Sequence, residues 1–403
     1  VARALEGIRV IDLTVWFQGP VAAQHLADFG AEVIKVERPK TGDQGRGVRS
    51  IKALPVGDWN QYFLVINRNK KSLALDLKKP EGREIMYRLV EESDVFLSNL
   101  GLPLLESWEL GYEKLSEVNP RLVYATNTGY GRLGGVHKPS FDMTVQALTG
   151  LMARLGEPDQ PPIYLGMGSG DAYGGMMSAL GIMLALHHRR RTGKGQWVDA
   201  SLYGAQLFLT APSLQAYLAT GSERYSKQQP REAAPNPLWN TYSCKDKWIF
   251  LCLTNEDKNW LQLCQGLDDP ELAKEPRFDS AEKRRQNARA LIERLDEKLK
   301  QRDAAEWMER WKPLGIIASP ICNLADLGSD PQAWENDYFV EAYCEEVQRQ
   351  VQVRGLPIGL SKTPGVVNTL GPELGQDTEL ILADTLGYSW DQIGEFKAHG
   401  AIP

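Results

Sequence analysis

Short apolar runs of strand length alternate with helix-length segments across the first two hundred residues, and that alternation leaves few architectures open. Ile8 to Leu13 reads IRVIDL and Ala31 to Glu37 reads AEVIKVE. Ser72 to Leu77, Asp94 to Ser98 and Leu122 to Thr126 follow in the same style. Between them, Pro20 to Phe29 reads as a helix that Gly30 ends, and Pro80 opens another, PEGREIMYRLVEES. Proline suits a first helical turn and glycine suits the stop. Strands separated by helices pair in parallel, because a parallel neighbour needs a crossover. The expected fold class is therefore α/β with a Rossmann-like parallel sheet. Phe141 to Leu155 is expected as a helix with Leu148, Leu151, Met152 and Leu155 on one face, and Trp197 to Leu202 as a further strand.

The pattern changes after about Thr220. Gly221 to Pro237, GSERYSKQQPREAAPNP, is polar and reads as a linker. Beyond it come a strand, Lys247 to Leu253, and helical stretches Ser280 to Lys300 and Ala304 to Trp311. The expected organisation is a large α/β domain over 1–225, a smaller α+β domain over 226–326, and a segment 327–403 that returns to the large domain. A net charge of −6 gives no basic field for nucleic acid. The longest apolar stretch, Met176 to Leu186, is too short to span a bilayer, and the N-terminal residues lack a signal-type core. Five cysteines with no CxxC pair fit a reduced, cytoplasmic setting, and no zinc-type spacing occurs.

Three motifs bear on chemistry. The first strand, turn and helix are framed like a dinucleotide site, but the turn reads Thr14-Val15-Trp16-Phe17-Gln18-Gly19-Pro20 and lacks the glycines that let backbone approach a pyrophosphate. Asn67-Arg68-Asn69-Lys70-Lys71-Ser72 joins cations to amides, a set that suits phosphate or simply a solvated loop. Gly166-Met167-Gly168-Ser169-Gly170-Asp171 brings a carboxylate to the start of a long apolar helix. Helix starts offer free N–H groups and a positive dipole end. Asp171 there is expected to stay ionised and reads either as a nucleophile or as a helix cap.

Taken in order, several segments resemble the family III CoA-transferases. They are LEGIRVID from Leu5, GAEVIKVE from Gly30, NKKSLALDLK from Asn69, NPRLV from Asn119, Gly129-Tyr130-Gly131, Gly170-Asp171, RTGKGQ from Arg191, and Pro357-Ile358-Gly359. The likeness covers nearly the whole chain. It implies that Asp171 is the catalytic nucleophile, working through an aspartyl anhydride and an aspartyl-CoA thioester. It implies a CoA site at Arg38, Leu75, Lys78 and Asn99, with Arg38 and Lys78 on the nucleotide phosphates. Gln18, Trp16, Phe17 and Phe141 are the expected acid-binding set, and Trp16, Phe17 and Trp239 suggest an aromatic or larger acceptor such as benzylsuccinate. Succinyl-CoA is the expected donor. Coenzyme A enters as substrate, with no permanently bound cofactor and no metal. The resemblance also implies an interlocked homodimer, or a heteromer with a related subunit. The related α-methylacyl-CoA racemases carry a histidine directly before an aspartate. Phe141-Asp142 stands at that place, phenylalanine cannot carry a proton, and His137 is no obvious substitute, so transfer is favoured over racemisation. A non-catalytic CoA-binding role would leave Asp171 without a purpose.

Overall fold

The structure is a computed structural model that describes residues 2–52, 54, 56–134 and 138–403. His137 lies outside the described residues. The chain divides into two compact units. One comprises Val1–Met152, Tyr164–Gly221 and Pro331–Pro403, the other Ala153–Ile163 and Ser222–Asp330. The piece 153–163, read from sequence as part of the first domain, clusters with the second unit.

In the first unit, strands β1 (Arg9–Leu13), β2 (Glu32–Glu37), β3 (Lys70–Ala74), β4 (Val95–Ser98), β5 (Val123–Thr126) and β6 (Trp197–Asp199) form one sheet in the order β3-β2-β1-β4-β5-β6. Every pairing is parallel. Neighbouring side chains on a strand point to opposite faces, and here both faces are covered. Ile11, Ile34, Phe96 and Tyr124 fill one core with Ile85 and Leu89 of the helix Pro80–Glu91. Val10, Val33, Val95 and Val123 fill the other with Ala22, Ala23 and Leu26 of helix α1 (Gln18–Asp28) and Ile182 and Ala185 of the long helix Ser169–Thr192. That double burial is why the strands read as unbroken apolar runs.

The C-terminal segment closes the first of these cores with Ile381, Leu382, Ile393, Phe396 and Ile402. A hairpin of Phe339–Cys344 and Arg349–Arg354 sits before it. The second unit pairs Trp239–Ser243, Trp248–Cys252 and Ala318–Pro320 as an antiparallel sheet. Its core holds Trp260, Trp307 and Trp311 with Leu291, Ile292 and Leu295.

Three local expectations are corrected. The helix foreseen over 141–155 stops at Leu148, and Gly150 follows at φ 78°. The stretch 280–300 breaks into Ala281–Gln286 and Ala288–Leu299. The Asn67–Ser72 segment is neither a phosphate loop nor a solvated one. Arg68 is buried against Asp28 at 2.7 Å, and Lys70 is buried on Asp12 at 2.8 Å. Their side chains serve the fold.

The strand order reverses between β1 and β4, since β2 lies on one side of β1 and β4 on the other. At such a switch the connections leave in opposite directions and open a crevice beyond the strands' carboxyl ends. All five cysteines are free, and among the described residues no helix is long and apolar enough to cross a membrane.

Candidate active site

The crevice begins where β1 ends. Trp16 adopts φ 66°, a left-handed conformation that is costly for a bulky residue, so its surroundings must impose it. The Trp16 N–H donates to Asp43 Oδ1 at 3.1 Å. The Val15 N–H donates to Asn99 Oδ1 at 2.9 Å, and Asn99 Nδ2 donates back to the Val15 carbonyl at 2.7 Å. Lys35 Nζ, fully buried, donates to the Thr14 carbonyl at 2.8 Å and pairs with Asp43 at 2.9 Å. The loop that presents Trp16 and Phe17 is thus braced from three sides. Asn99, expected on CoA, spends both ends of its amide on this brace.

Gln18 follows at the first position of α1 and is buried. Its Nε2 donates to the Ala200 carbonyl at 3.2 Å. Gly174 and Gly175 of the long helix permit this contact. A Cβ on Gly174 would lie 2.8 Å from Gln18 Nε2, and one on Gly175 2.7 Å from the Gln18 carbonyl.

The long helix starts earlier than its apolar run suggested. Gly168 at φ 82° is the residue before it, and Ser169, Gly170 and Asp171 make the first turn. Asp171 therefore does not cap the helix. It sits three residues in, half-buried, with no hydrogen-bond partner for its carboxylate among the described residues. Burial, and then the nearby Asp142 carboxylate, push the Asp171 carboxyl up to about 7. The positive end of the helix opposes that rise. The expectation that Asp171 simply stays ionised is corrected: burial and Asp142 raise its carboxyl to about 7.

Asp142 is buried at the start of the helix Asp142–Leu148. It accepts from Gln146 Nε2 at 3.0 Å, from Gln206 Nε2 at 2.9 Å and from the Gly170 N–H at 3.2 Å. Only glycine fits at 170, because an added Cβ would stand 2.2 Å from Gln206 Nε2 and 2.3 Å from Asp142 Oδ1. Gly170→Ala is expected to destabilise by about 1–3 kcal/mol through overpacking. It should also lower turnover at least about tenfold by displacing Asp171. Thermal melts and steady-state rates measure the two effects, and a variant normal in both would count against the packing argument.

Two adjoining cavities line the crevice. One, of about 540 Å³, is bordered by Arg38, Lys40, Leu75, Lys78 and Lys79. The other, of about 390 Å³, is bordered by Trp16, Phe17, Gln18, Asn99, Phe141, Asp142 and Asp171. Val15 and Leu100 border both. The nine residues singled out from sequence thus divide between two chambers with a shared wall, Arg38, Leu75 and Lys78 in the first and the other six in the second. Arg38 and Lys78 are exposed, and neither makes an ion pair among the described residues. The Leu75 side chain is buried in the core, and its N–H donates to the Glu37 carbonyl at 2.8 Å. Phe141 is exposed.

Sequence reasoning missed Tyr62, whose ring lies 5.6 Å from that of Phe17. Burial, then the Asp171 and Asp43 carboxylates, push its phenol well above the usual range. Its segment carries no local signal beyond an ordinary apolar run. Among the described residues no cluster of His, Cys, Asp and Glu could hold a metal.

The family model of CoA-transferase family III matches residues 5–378. Succinyl-CoA–D-citramalate CoA-transferase of Chloroflexus aurantiacus is 33% identical over 99% of this chain and 98% of its own. Human succinyl-CoA:glutarate CoA-transferase is 31% identical over 99% of this chain and 90% of its own. The crystal structure of a CaiB/BaiF family protein from Brucella suis aligns with a TM-score of 0.84 at 32% identity, covering 95% of this chain and 100% of that one. An ordered match that runs almost from end to end, in sequence and in three dimensions, admits one conclusion: the chain belongs to CoA-transferase family III and is a CoA-transferase.

Proposed function

We propose that the protein transfers CoA from succinyl-CoA to a second carboxylic acid, with Asp171 as the nucleophile. The observation that carries this is Asp171 itself, a carboxylate unpartnered among the described residues and set in a helix's first turn on the wall of the crevice. The citramalate and glutarate CoA-transferases named above act from succinyl-CoA by their names, as do succinyl-CoA:mesaconate CoA-transferases. Citramalate, mesaconate and glutarate make an aliphatic dicarboxylic acid a better first acceptor to test than benzylsuccinate.

In this reading Asp171 attacks the thioester carbonyl, the C–S bond breaks, and CoA leaves as thiolate from a mixed anhydride. The thiolate attacks Asp171 Cγ, which expels succinate and leaves an aspartyl-CoA thioester. The acceptor carboxylate attacks Cγ in turn, releasing the thiolate. The thiolate then attacks the acceptor's acyl carbon and restores the Asp171 carboxylate. Each step exchanges one acyl bond for another, so covalent catalysis replaces one difficult exchange by several easier ones. N–H groups at the start of the helix are proposed to stabilise negative charge at each tetrahedral stage, apart from that of Gly170, which donates to Asp142. The test is to mix the enzyme with succinyl-CoA, quench in acid, and search Asp171-containing peptides for the CoA adduct. Turnover without any adduct on that peptide would sink the nucleophile assignment.

Arg38 and Lys78 are proposed to hold the nucleotide phosphates, since fixed cations pair strongly with them. Replacing each by glutamine should raise the KM for acyl-CoA about tenfold and leave the acid's within about twofold. An equal rise for both substrates would count against the assignment.

The family's interlocked dimer is proposed for this chain too, with a second copy as the occupant. What supports it is an exposed apolar surface on one unit, with Leu180, Leu184, Phe208 and Leu218 all more than half exposed. Light scattering after size exclusion measures the mass. A monomer would refute the reading, and a requirement for a second kind of chain would favour a heteromer, as the name of a similar malate CoA-transferase beta subunit suggests.

A further inference from the structure

A dicarboxylic acid is a dianion, and the chamber of about 390 Å³ already holds Asp142 and Asp171. An acid can deliver one carboxylate to Asp171 there only if its other charge is balanced. Among the described residues that line this chamber, Arg132 and Lys138 are the only cations. Both lie on the connection that follows β5, and neither makes an ion pair among the described residues.

Their freedom has a structural cause. The acidic neighbour Asp199 is engaged elsewhere. Its Oδ1 accepts from Thr126 Oγ1 at 3.1 Å and Thr128 Oγ1 at 3.0 Å, and its Oδ2 accepts from the Arg132 main-chain N–H at 2.9 Å. Thr128 Oγ1 also receives the Gly131 N–H at 3.0 Å. Asp199 thus builds the turn that presents Arg132 and leaves the guanidinium unneutralised. The guanidinium lies over the Trp197 ring, 5.0 Å from its centroid, and the Lys138 ammonium lies 5.3 Å from the Tyr130 ring centroid. Aromatic faces hold a cation in place without cancelling its charge.

We propose that Arg132 and Lys138 receive the second, non-reacting carboxylate of a dicarboxylic substrate, on the free acid and on its CoA thioester alike. This rests on the CoA-transfer reading above and names what selects the acid. Charge-assisted hydrogen bonds of this kind discriminate strongly, because a substrate lacking the second carboxylate leaves the cations without a partner.

The test uses isotope exchange, which needs no knowledge of the natural acceptor. Labelled succinate is exchanged into succinyl-CoA, and labelled butyrate into butyryl-CoA, by wild type and by the variants Arg132→Gln, Lys138→Gln and Arg132→Lys. Wild type should prefer the succinyl pair. Each glutamine variant should raise the KM for succinate and for succinyl-CoA by about 10- to 100-fold. It should change butyryl-CoA by no more than about twofold, and Arg132→Lys should fall between. Parallel increases for both thioesters would place these cations on CoA and overturn the proposal. So would unchanged constants, or a wild type that exchanges butyrate as readily as succinate. A wild type that exchanges no thioester at all would instead remove the CoA-transfer reading on which it rests.

Discussion

Asp171→Ala is expected to lower kcat by about 10⁴-fold or more while leaving a folded protein that still binds CoA. Loss of a covalent nucleophile costs that much because the remaining groups can only orient the reactants. Asp171 is half-buried and makes no side-chain hydrogen bond among the described residues, so its removal breaks no network. Steady-state exchange rates, with CoA binding measured by calorimetry, separate the two effects. A variant that retains a tenth of wild-type turnover would end the nucleophile assignment. The pH profile follows from the same carboxyl. Attack requires the ionised form, so kcat/KM should rise as pH rises through about 7, where burial and Asp142 set the titration. The stability effect runs the other way. A carboxyl whose folded value of about 7 exceeds its ordinary 3.8 loses its proton first in the unfolded chain. Its contribution to stability therefore falls from about pH 4 to 7, and the full cost remains above 7. Asp171→Asn should stabilise the fold above pH 7 by about 1–3 kcal/mol, a figure reduced for solvent screening of a half-buried group. No gain at pH 8 would mean that the helix end offsets the burial completely.

Much of the parallel sheet was legible in sequence because its strands are buried on both faces. Val10, Ile11, Val33 and Ile34 leave no ambiguity when neither side faces water. Asp171 was legible for two separate reasons, the glycine run before it and the match of ordered segments to a family. Its chemical state was not legible. The rise to about 7 depends on Asp142, twenty-nine residues earlier in sequence, and on burial that only tertiary packing creates. The same limit explains Arg68 and Lys70. Two cations beside amides look like a phosphate loop in one dimension. Their carboxylate partners, Asp28 and Asp12, lie forty and fifty-eight residues away. Asn99 illustrates the converse: it was expected on CoA, and its bonding to the Val15 main chain was not foreseen. Chain spacing marks which residues reach the switch point; only packing decides what each has left to offer a ligand.

Beneath the Trp16 loop lies a buried charge network whose two lysines should respond differently to removal. Lys35 sits among Asp43, Asp12 and Glu37, and although burial alone would lower its value, these carboxylates together raise it. Lys70 is pushed down to about 8, by burial first, with the Lys35 charge adding to the fall and Asp12 only partly offsetting it. Lys35 is therefore the cation the network needs, whereas Lys70 carries its charge at a cost. Lys35→Met takes from Asp43 its ion-pair partner and from the Thr14 carbonyl its donor. It should destabilise by about 3–5 kcal/mol, the usual effect of stranding a buried charge. Lys70→Met leaves Asp12 beside Lys35 and bonded to Thr14, so about 1–3 kcal/mol is expected. Denaturant melts at pH 7 compare them, and the reverse order would refute this division of roles. The pH dependence separates them further. From about pH 8 to 10.5 the folded protein sheds the Lys70 proton before the unfolded chain does, so this group adds stability as pH rises. Lys70→Met should lack that increment. Lys35, raised in the fold, contributes fully below 10.5 and is lost only above it. Because Asp43 also holds the strained Trp16 N–H, Lys35→Met should raise the KM for acid substrates as well, whereas Lys70→Met should not.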